Sequence, residues 1–162
     1  MLSIAVIGAG RIGRIHAANI AANPAARLAG VADSDPAAAE ALAHTFHTQA
    51  IPLDAAFAAD AVLIASPTPT HADYIERAAA SGRAIFCEKP IDLSAARVRT
   101  CLRAVQRAGV TLMVGFNRRF DPHFLTLKRR LDAGDIGALE ILTIISRDPA
   151  PPPPAYVAVS GG

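Results

Sequence analysis

The stretch VIGAGRIGRIH, residues 6–16, places Gly8, Gly10 and Gly13 in the spacing G-x-G-x-x-G. It follows the apolar run SIAVI and opens a segment of helical character. In that setting each glycine has its own task. The first permits a tight turn, the second lets the backbone approach a pyrophosphate, and the third lets the helix pack closely on a sheet. A pyrophosphate there would sit on the positive N-terminal end of the helix. Twenty residues past Gly13, in GVADSD, stands Asp33. A carboxylate at that strand end accepts hydrogen bonds from both hydroxyls of an adenosine ribose and repels a 2′-phosphate. The two features predict a dinucleotide cofactor, NAD in preference to NADP. For the glycines alone, the competing reading is a strand–helix turn with no ligand. Arg11 either is solvated or lies near the adenosine ribose. His16, one turn into the helix, reads as a satisfied helix residue, and Asp35 reads as the N-cap of a helix beginning at Pro36.

Outward from this loop, short apolar runs alternate with helical segments, the pattern of a parallel α/β sheet. Strands are expected at 3–7, 28–32, 61–65, 84–87 and 112–115, with a weaker one near 50–51. Helices are expected at about 11–22, 36–46, 71–81 and 94–108. In the last, Val98, Cys101, Leu102 and Val105 form one apolar stripe at i, i+3, i+4 and i+7. Asp92 or Ser94 is placed to cap its start, and Gly109 lies just past its end.

The 162-residue chain is long enough to bury a substantial core. Its mean hydropathy is positive, yet no run approaches the roughly 20 apolar residues of a membrane span. The first residues read as a buried strand, not a signal peptide. A net charge of +2 gives no reason to expect a nucleic-acid partner. Arginines 99, 103 and 107 recur as on a solvated helix face. Cys87 and Cys101 lack metal-ligand spacing, so a reduced cytoplasmic protein without a metal site is expected.

In an open α/β sheet, ligands bind beyond the carboxyl ends of the strands. Three further loops leave that edge. In ASPTPTHADY, Ser66 and Thr68 offer hydroxyls to the nicotinamide half of a cofactor, and Thr70 reads as an N-cap with Asp73 three residues on. In FCEKP, Lys89 projects toward the same cleft. Its competing reading is a solvated lysine paired with Glu88, and Pro90 biases it to extended backbone. In VGFNRRFDP, Asn117, Arg118 and Arg119 bring donors suited to a polyhydroxylated substrate or to structural ion pairs. Asp121 and His123 read as caps of a helix from Pro122. The reading then changes: a basic amphipathic helix, a turn at Gly134–Gly137, the strand LEILTIISRD, and a proline run that cannot join a ladder. A domain of residues 1–121 is expected, followed at 122–162 by the start of an incomplete one, since a lone strand has nowhere to pair.

The pieces GAGRIGRIH, Asp33, SPTPTHADYIERAAASG, FCEKPIDLS, VGFNRRFDPHF and SRDPAPPP together resemble the Gfo/Idh/MocA oxidoreductases, and within them the inositol 2-dehydrogenases. The resemblance implies a Rossmann domain with a doubly wound parallel sheet, followed by the first helix and strand of a truncated C-terminal α/β domain that carries substrate and oligomer contacts. It implies NAD as cofactor, with Gly8, Gly10, Arg11, Ile12, Gly13, Asp33, Ser66, Thr68, His71, Glu88 and Lys89 as cofactor contacts. Lys89 is the implied catalytic lysine, touching substrate and nicotinamide. Asn117, Arg118 and Arg119 stay candidate substrate contacts beside the ion-pair reading, and the expected substrate is a polyol or sugar. The proton-transferring aspartate and histidine are expected beyond SGG, and none of the five histidines falls in such a segment. The expected activity is oxidation of a ring secondary alcohol, myo-inositol foremost, by a homo-oligomer. A dehydrogenase of another cyclitol or sugar and a non-catalytic NAD-binding module are the alternatives.

Overall fold

The computed structural model describes residues 1–147, 150–152, 154 and 157. β1 (Leu2–Ile7) is followed by α1 (Arg11–Ala22), β2 (Ala26–Ala32) and α2 (Pro36–Thr45). Next come α3 (Leu53–Ala56), β3 (Ala61–Ile64), α4 (His71–Ala80), β4 (Ala84–Cys87) and α5 (Ala95–Ala108). β5 (Leu112–Val114) and α6 (Pro122–Asp132) complete the order. Short 3₁₀ turns at Thr68–Thr70 and Asn117–Phe120 precede α4 and α6.

All five strands pair in parallel, in the order β2-β1-β3-β4-β5. After β2 the chain crosses β1 to continue on its other side, so the order reverses between β1 and β3. Ligands of open α/β sheets bind at such a switch point. The central strands are near-continuous apolar runs because helices cover both faces. Val6, Val31, Val62 and Ile64 are fully buried with Leu42 of α2 and Ile75 of α4. Each such aliphatic side chain contributes about 1.5–3 kcal/mol on burial. At the amino-terminal ends of β1 and β3, the Asp60 carboxylate accepts from the Ser3 hydroxyl at 2.6 Å and the Ser3 N–H at 2.9 Å. Those bonds hold its carboxyl below the usual carboxylate range.

Most expected bounds agree with the structure to within a residue or two. Asp35 caps α2, its side chain accepting from the Ala37 N–H at 3.0 Å. Ser94 and Asp121 cap α5 and α6, and Gly109 closes α5 in the left-handed region at φ 67°. The weak strand near 50–51 is reduced to one parallel bridge, Val31 to Ala50.

Three expectations are corrected and one element is added. Thr70 makes no cap: its hydroxyl donates to the Pro67 carbonyl at 2.8 Å, because the chain enters α4 through a 3₁₀ turn. Leu102 lies at the edge of the α5 stripe, 43% exposed, while Cys101 and Val105 face the sheet. α3 was not expected; a single turn carries no periodicity to read. The strand over 139–148 does not form among the described residues. Residues 138–147 pair with no strand, and Leu139, Ile141, Leu142, Ile144 and Ile145 are exposed. A β-branched run has strand propensity, but propensity without a ladder leaves its backbone groups unpaired. Most of AYVAVSGG lies outside the described residues.

Candidate functional site

The glycine loop is built by close packing. Gly8, at φ 109°, donates its N–H to the Ala32 carbonyl at 2.8 Å. A Cβ on Gly8 would lie 2.6 Å from the backbone of Ala65 and Ser66, so the loops after β1 and β3 touch. A Cβ on Gly13 would lie 1.8 Å from the Gly8 carbonyl oxygen, so α1 rests directly on the loop. Gly10 differs from both: its Cβ would meet nothing within 4 Å. It is the N-cap of α1 with no side-chain cap, and the first amide bonded back to its carbonyl is that of Arg14. The N–H groups before Arg14 have no partner within the helix. An open, uncapped helix N-terminus bordered by glycine fits a pyrophosphate.

Asp33 sits beside this terminus and also shapes it. Its Oδ2 accepts the Ala9 N–H at 2.6 Å, and its Oδ1 accepts the Asp35 N–H at 2.9 Å and the Ser34 hydroxyl at 3.3 Å. Arg11 is exposed and Ile12 half-buried on the first turn of α1. Beyond β3, the Ser66 hydroxyl lies 2.6 Å from that of Thr70, and Thr68 is half-buried on the 3₁₀ turn.

The loop after β4 lies next along the edge. Lys89 is exposed and enters no ion pair among the described residues, and Lys89-Pro90 is a cis peptide. Glu88 pairs with His16 at 2.7 Å and not with the Lys89 ammonium. Its Oε2 accepts the backbone N–H of Lys89 at 3.3 Å. An open cleft is lined by Lys89, Phe116, Asn117, Arg118, Arg119, Phe120 and Asp121. The lysine and the three expected substrate contacts therefore share one wall. Arg118 lies over the Phe124 ring and reaches the Ser146 hydroxyl at 3.5 Å.

His71 stands apart from the exposed contacts. It is 2% exposed, with Nδ1 2.7 Å from the Pro90 carbonyl and Nε2 2.7 Å from the Ser66 carbonyl. Both ring nitrogens are thus committed to backbone. The His16–Glu88 contact was missed; its partners stand 72 residues apart, and the only local hint was a histidine three residues past Gly13. Cys87, buried at the end of β4, has its thiol pushed up to about 12 by burial, then by Cys101 and Glu88. Cys101 is raised to about 11, chiefly by burial. Neither is poised as a nucleophile at neutral pH. Among the described residues no His, Cys, Asp and Glu group is placed to hold a metal ion, and no helix is long and apolar enough to cross a membrane.

Residues 2–116 match the model of an oxidoreductase family with an NAD-binding Rossmann fold. An inositol 2-dehydrogenase of Rhizobium meliloti is 55% identical over 160 residues, covering 97% of this chain and 48% of the relative. The structure of a myo-inositol dehydrogenase from Corynebacterium glutamicum superposes with a TM-score of 0.92 at 48% identity, over 100% of this chain and 50% of the other. A scyllo-inositol dehydrogenase from Lactobacillus casei, solved with bound NAD(H) and scyllo-inositol, gives a TM-score of 0.79 at 30% identity, over 85% and 42%. The chain spans about half the length of the curated relatives it matches.

Proposed function

The chain belongs to the Gfo/Idh/MocA oxidoreductase family, and on that premise we propose that it serves NAD-dependent oxidation of a ring secondary alcohol, with myo-inositol to 2-keto-myo-inositol as the first candidate. The observation that carries the reading is the shared edge of the sheet. The uncapped α1 terminus at Gly10, the Asp33 carboxylate and the Lys89 ammonium, without an ion pair among the described residues, all follow strands that end there. Residues 1–121 form the cofactor-binding unit in this proposal, and 122–162 begin the substrate and oligomer unit.

Each residue has a physical task. The α1 amides hold a diphosphate, and Asp33 takes the adenosine ribose hydroxyls on lone pairs beyond those given to Ala9 and Asp35. Ser66 and Thr68 line the nicotinamide side. Lys89 places a cation beside the reacting hydroxyl, which favours the alkoxide-like charge that develops as the alcohol proton leaves. Asn117, Arg118 and Arg119 offer donors to the other ring hydroxyls. Bound NAD supplies the hydride acceptor. The partner is a polyol, with the inositols named for the relatives as first choices. Homo-oligomerisation as a dimer or tetramer belongs to the same proposal.

The test is calorimetric titration with NAD and NADP, followed by a panel of cyclitols and sugars added to the NAD complex. NAD binding tighter than NADP, with an inositol selected from the panel, is expected. Absence of NAD binding overturns the proposal, and selection of a non-cyclitol sugar replaces its substrate.

A further inference from the structure

Resting on the functional reading above, we propose that residues 88–90 are clamped by two histidines, so that His16, His71 and Glu88 are positioning residues for Lys89. In this assignment they contact neither cofactor nor reacting atoms. The clamp has two arms, from different elements. On one side α1 brings His16 Nε2 to 2.7 Å from Glu88 Oε1, with the imidazole edge-on to Phe86 at 5.0 Å. The second carboxylate oxygen of Glu88 accepts the N–H of Lys89 itself at 3.3 Å. Space for this carboxylate is provided by Gly115, where a Cβ would lie 3.1 Å from Glu88 Cδ and both oxygens. On the other side the first turn of α4 brings buried His71 to the Pro90 carbonyl at 2.7 Å, its other nitrogen held by the Ser66 carbonyl at 2.7 Å. A neutral ring donates to one of these carbonyls, and a ring protonated on both nitrogens donates to both.

The consequence for Lys89 is electrostatic as well as geometric. A glutamate one residue away is the natural partner of a lysine ammonium, and pairing would cancel the charge that the site uses. His16 and the Lys89 amide occupy the Glu88 oxygens instead, and the backbone N–H of Glu88 is fixed to the Ile64 carbonyl at 2.9 Å. The ammonium is then the group the turn presents to the cleft. Because His16 rides on the helix whose N-terminus receives the diphosphate, the clamp also ties the position of Lys89 to that of the cofactor.

The experiment uses this chain with His16→Ala, His16→Gln and His71→Asn, each checked for native circular dichroism. NAD is compared with ADP-ribose, which has the diphosphate and both riboses but no nicotinamide. His16→Ala is expected to weaken NAD about tenfold, the equivalent of one charge-assisted hydrogen bond, while ADP-ribose changes less than about twofold. His16→Gln, whose amide still donates to Glu88, restores NAD binding. His71→Asn, if it folds, repeats the NAD-selective loss. Parallel loss of both ligands, or no loss, overturns the clamp. If the unmodified chain binds neither ligand, the cofactor reading fails, and the clamp is judged without ligand. Exchange of the Lys89 amide proton, followed by NMR, must then speed in His16→Ala and recover in His16→Gln; unchanged exchange overturns it.

Discussion

Gly10→Ala and Gly13→Ala add the same methyl group three residues apart, and the structure separates their effects. At Gly13 the new Cβ would stand 1.8 Å from the Gly8 carbonyl oxygen and 2.9 Å from its carbon. Ordinary carbon–oxygen contact lies beyond about 3.2 Å, so α1 must retreat by more than an ångström or the loop must deform. Alanine recovers about 1 kcal/mol of helix propensity. Overpacking against backbone costs about 1–3 kcal/mol and more when the neighbour cannot rotate away. The steric cost wins, and a net loss of about 2 kcal/mol is expected, with NAD binding lost as the α1 terminus moves. At Gly10 the Cβ meets nothing within 4 Å and φ is −69°, which any residue adopts. Alanine is a poorer N-cap than glycine, so a loss of about 0.5–1 kcal/mol is expected, less than at Gly13. The methyl instead occupies the open face where the diphosphate is proposed to lie, and NAD affinity should fall at least about tenfold. Urea unfolding read with calorimetry separates the two quantities. A Gly10→Ala protein of unchanged NAD affinity refutes the placement of the diphosphate, and a Gly13→Ala protein of unchanged stability refutes the packing argument.

Asp33→Ser should bring the NAD and NADP affinities together, and it should also cost about 1–2 kcal/mol because the Ala9 N–H loses its acceptor; unchanged cofactor selectivity in paired calorimetric titrations removes the ribose role. Arg97→Ala breaks the bidentate contact with Glu76 and the contact with Asp73 that join α5 to α4. With Arg97 about a third exposed, a loss of about 1 kcal/mol in urea unfolding is expected, and no loss would show the network to be decorative. The Cys87 thiol ionises at about 12 in the fold against an ordinary 9.0, so between those values the unfolded chain releases its proton and the folded chain does not. That part of the stability is complete below the ordinary value and is lost as pH rises toward about 12, at up to about 1.4 kcal/mol per pH unit. Cys87→Ala should flatten the alkaline slope of the urea midpoint, and an identical slope refutes the assignment.

The parts legible in the sequence were those fixed by local pattern. Strands buried on both faces show as short apolar runs, so 84–87 matches β4 and 61–65 overruns β3 by one residue. Glycines with a steric reason declare themselves by spacing, as do Asp35 and Ser94 as caps. What stayed hidden depends on distances across the chain. Glu88 beside Lys89 suggests an ion pair, and only the fold shows His16 claiming that carboxylate from 72 residues away. The resemblance sets His71 among the cofactor contacts, and only the fold shows its ring buried between the Pro90 and Ser66 carbonyls. The run at 139–145 failed in the opposite direction, since strand propensity is real while a ladder partner is not supplied by propensity.

The same distinction explains how a five-stranded sheet can hold one cation ready. Electrostatic assistance is worth most when the charged group is oriented before the reaction, because no reorganisation is then needed at the moment charge develops. A lysine on a free loop would spend side-chain and backbone entropy to reach the cleft and would be drawn to the nearest carboxylate. Here the turn is joined to the sheet through the Glu88 N–H and Ile64 carbonyl, to α1 through Glu88, and to α4 through Pro90. Three attachments to three elements leave the turn little freedom as a unit, while the Lys89 side chain keeps its own. The adjoining arginines lack that support: Arg118 rests on Phe124 in an exposed segment, and Arg119 is exposed. Orientation of the cleft is therefore graded, fixed at the glycine loop and residues 88–90 and open along 117–121. That grading suits the proposed function, in which rigid backbone would hold the cofactor and exposed side chains would meet a polyol.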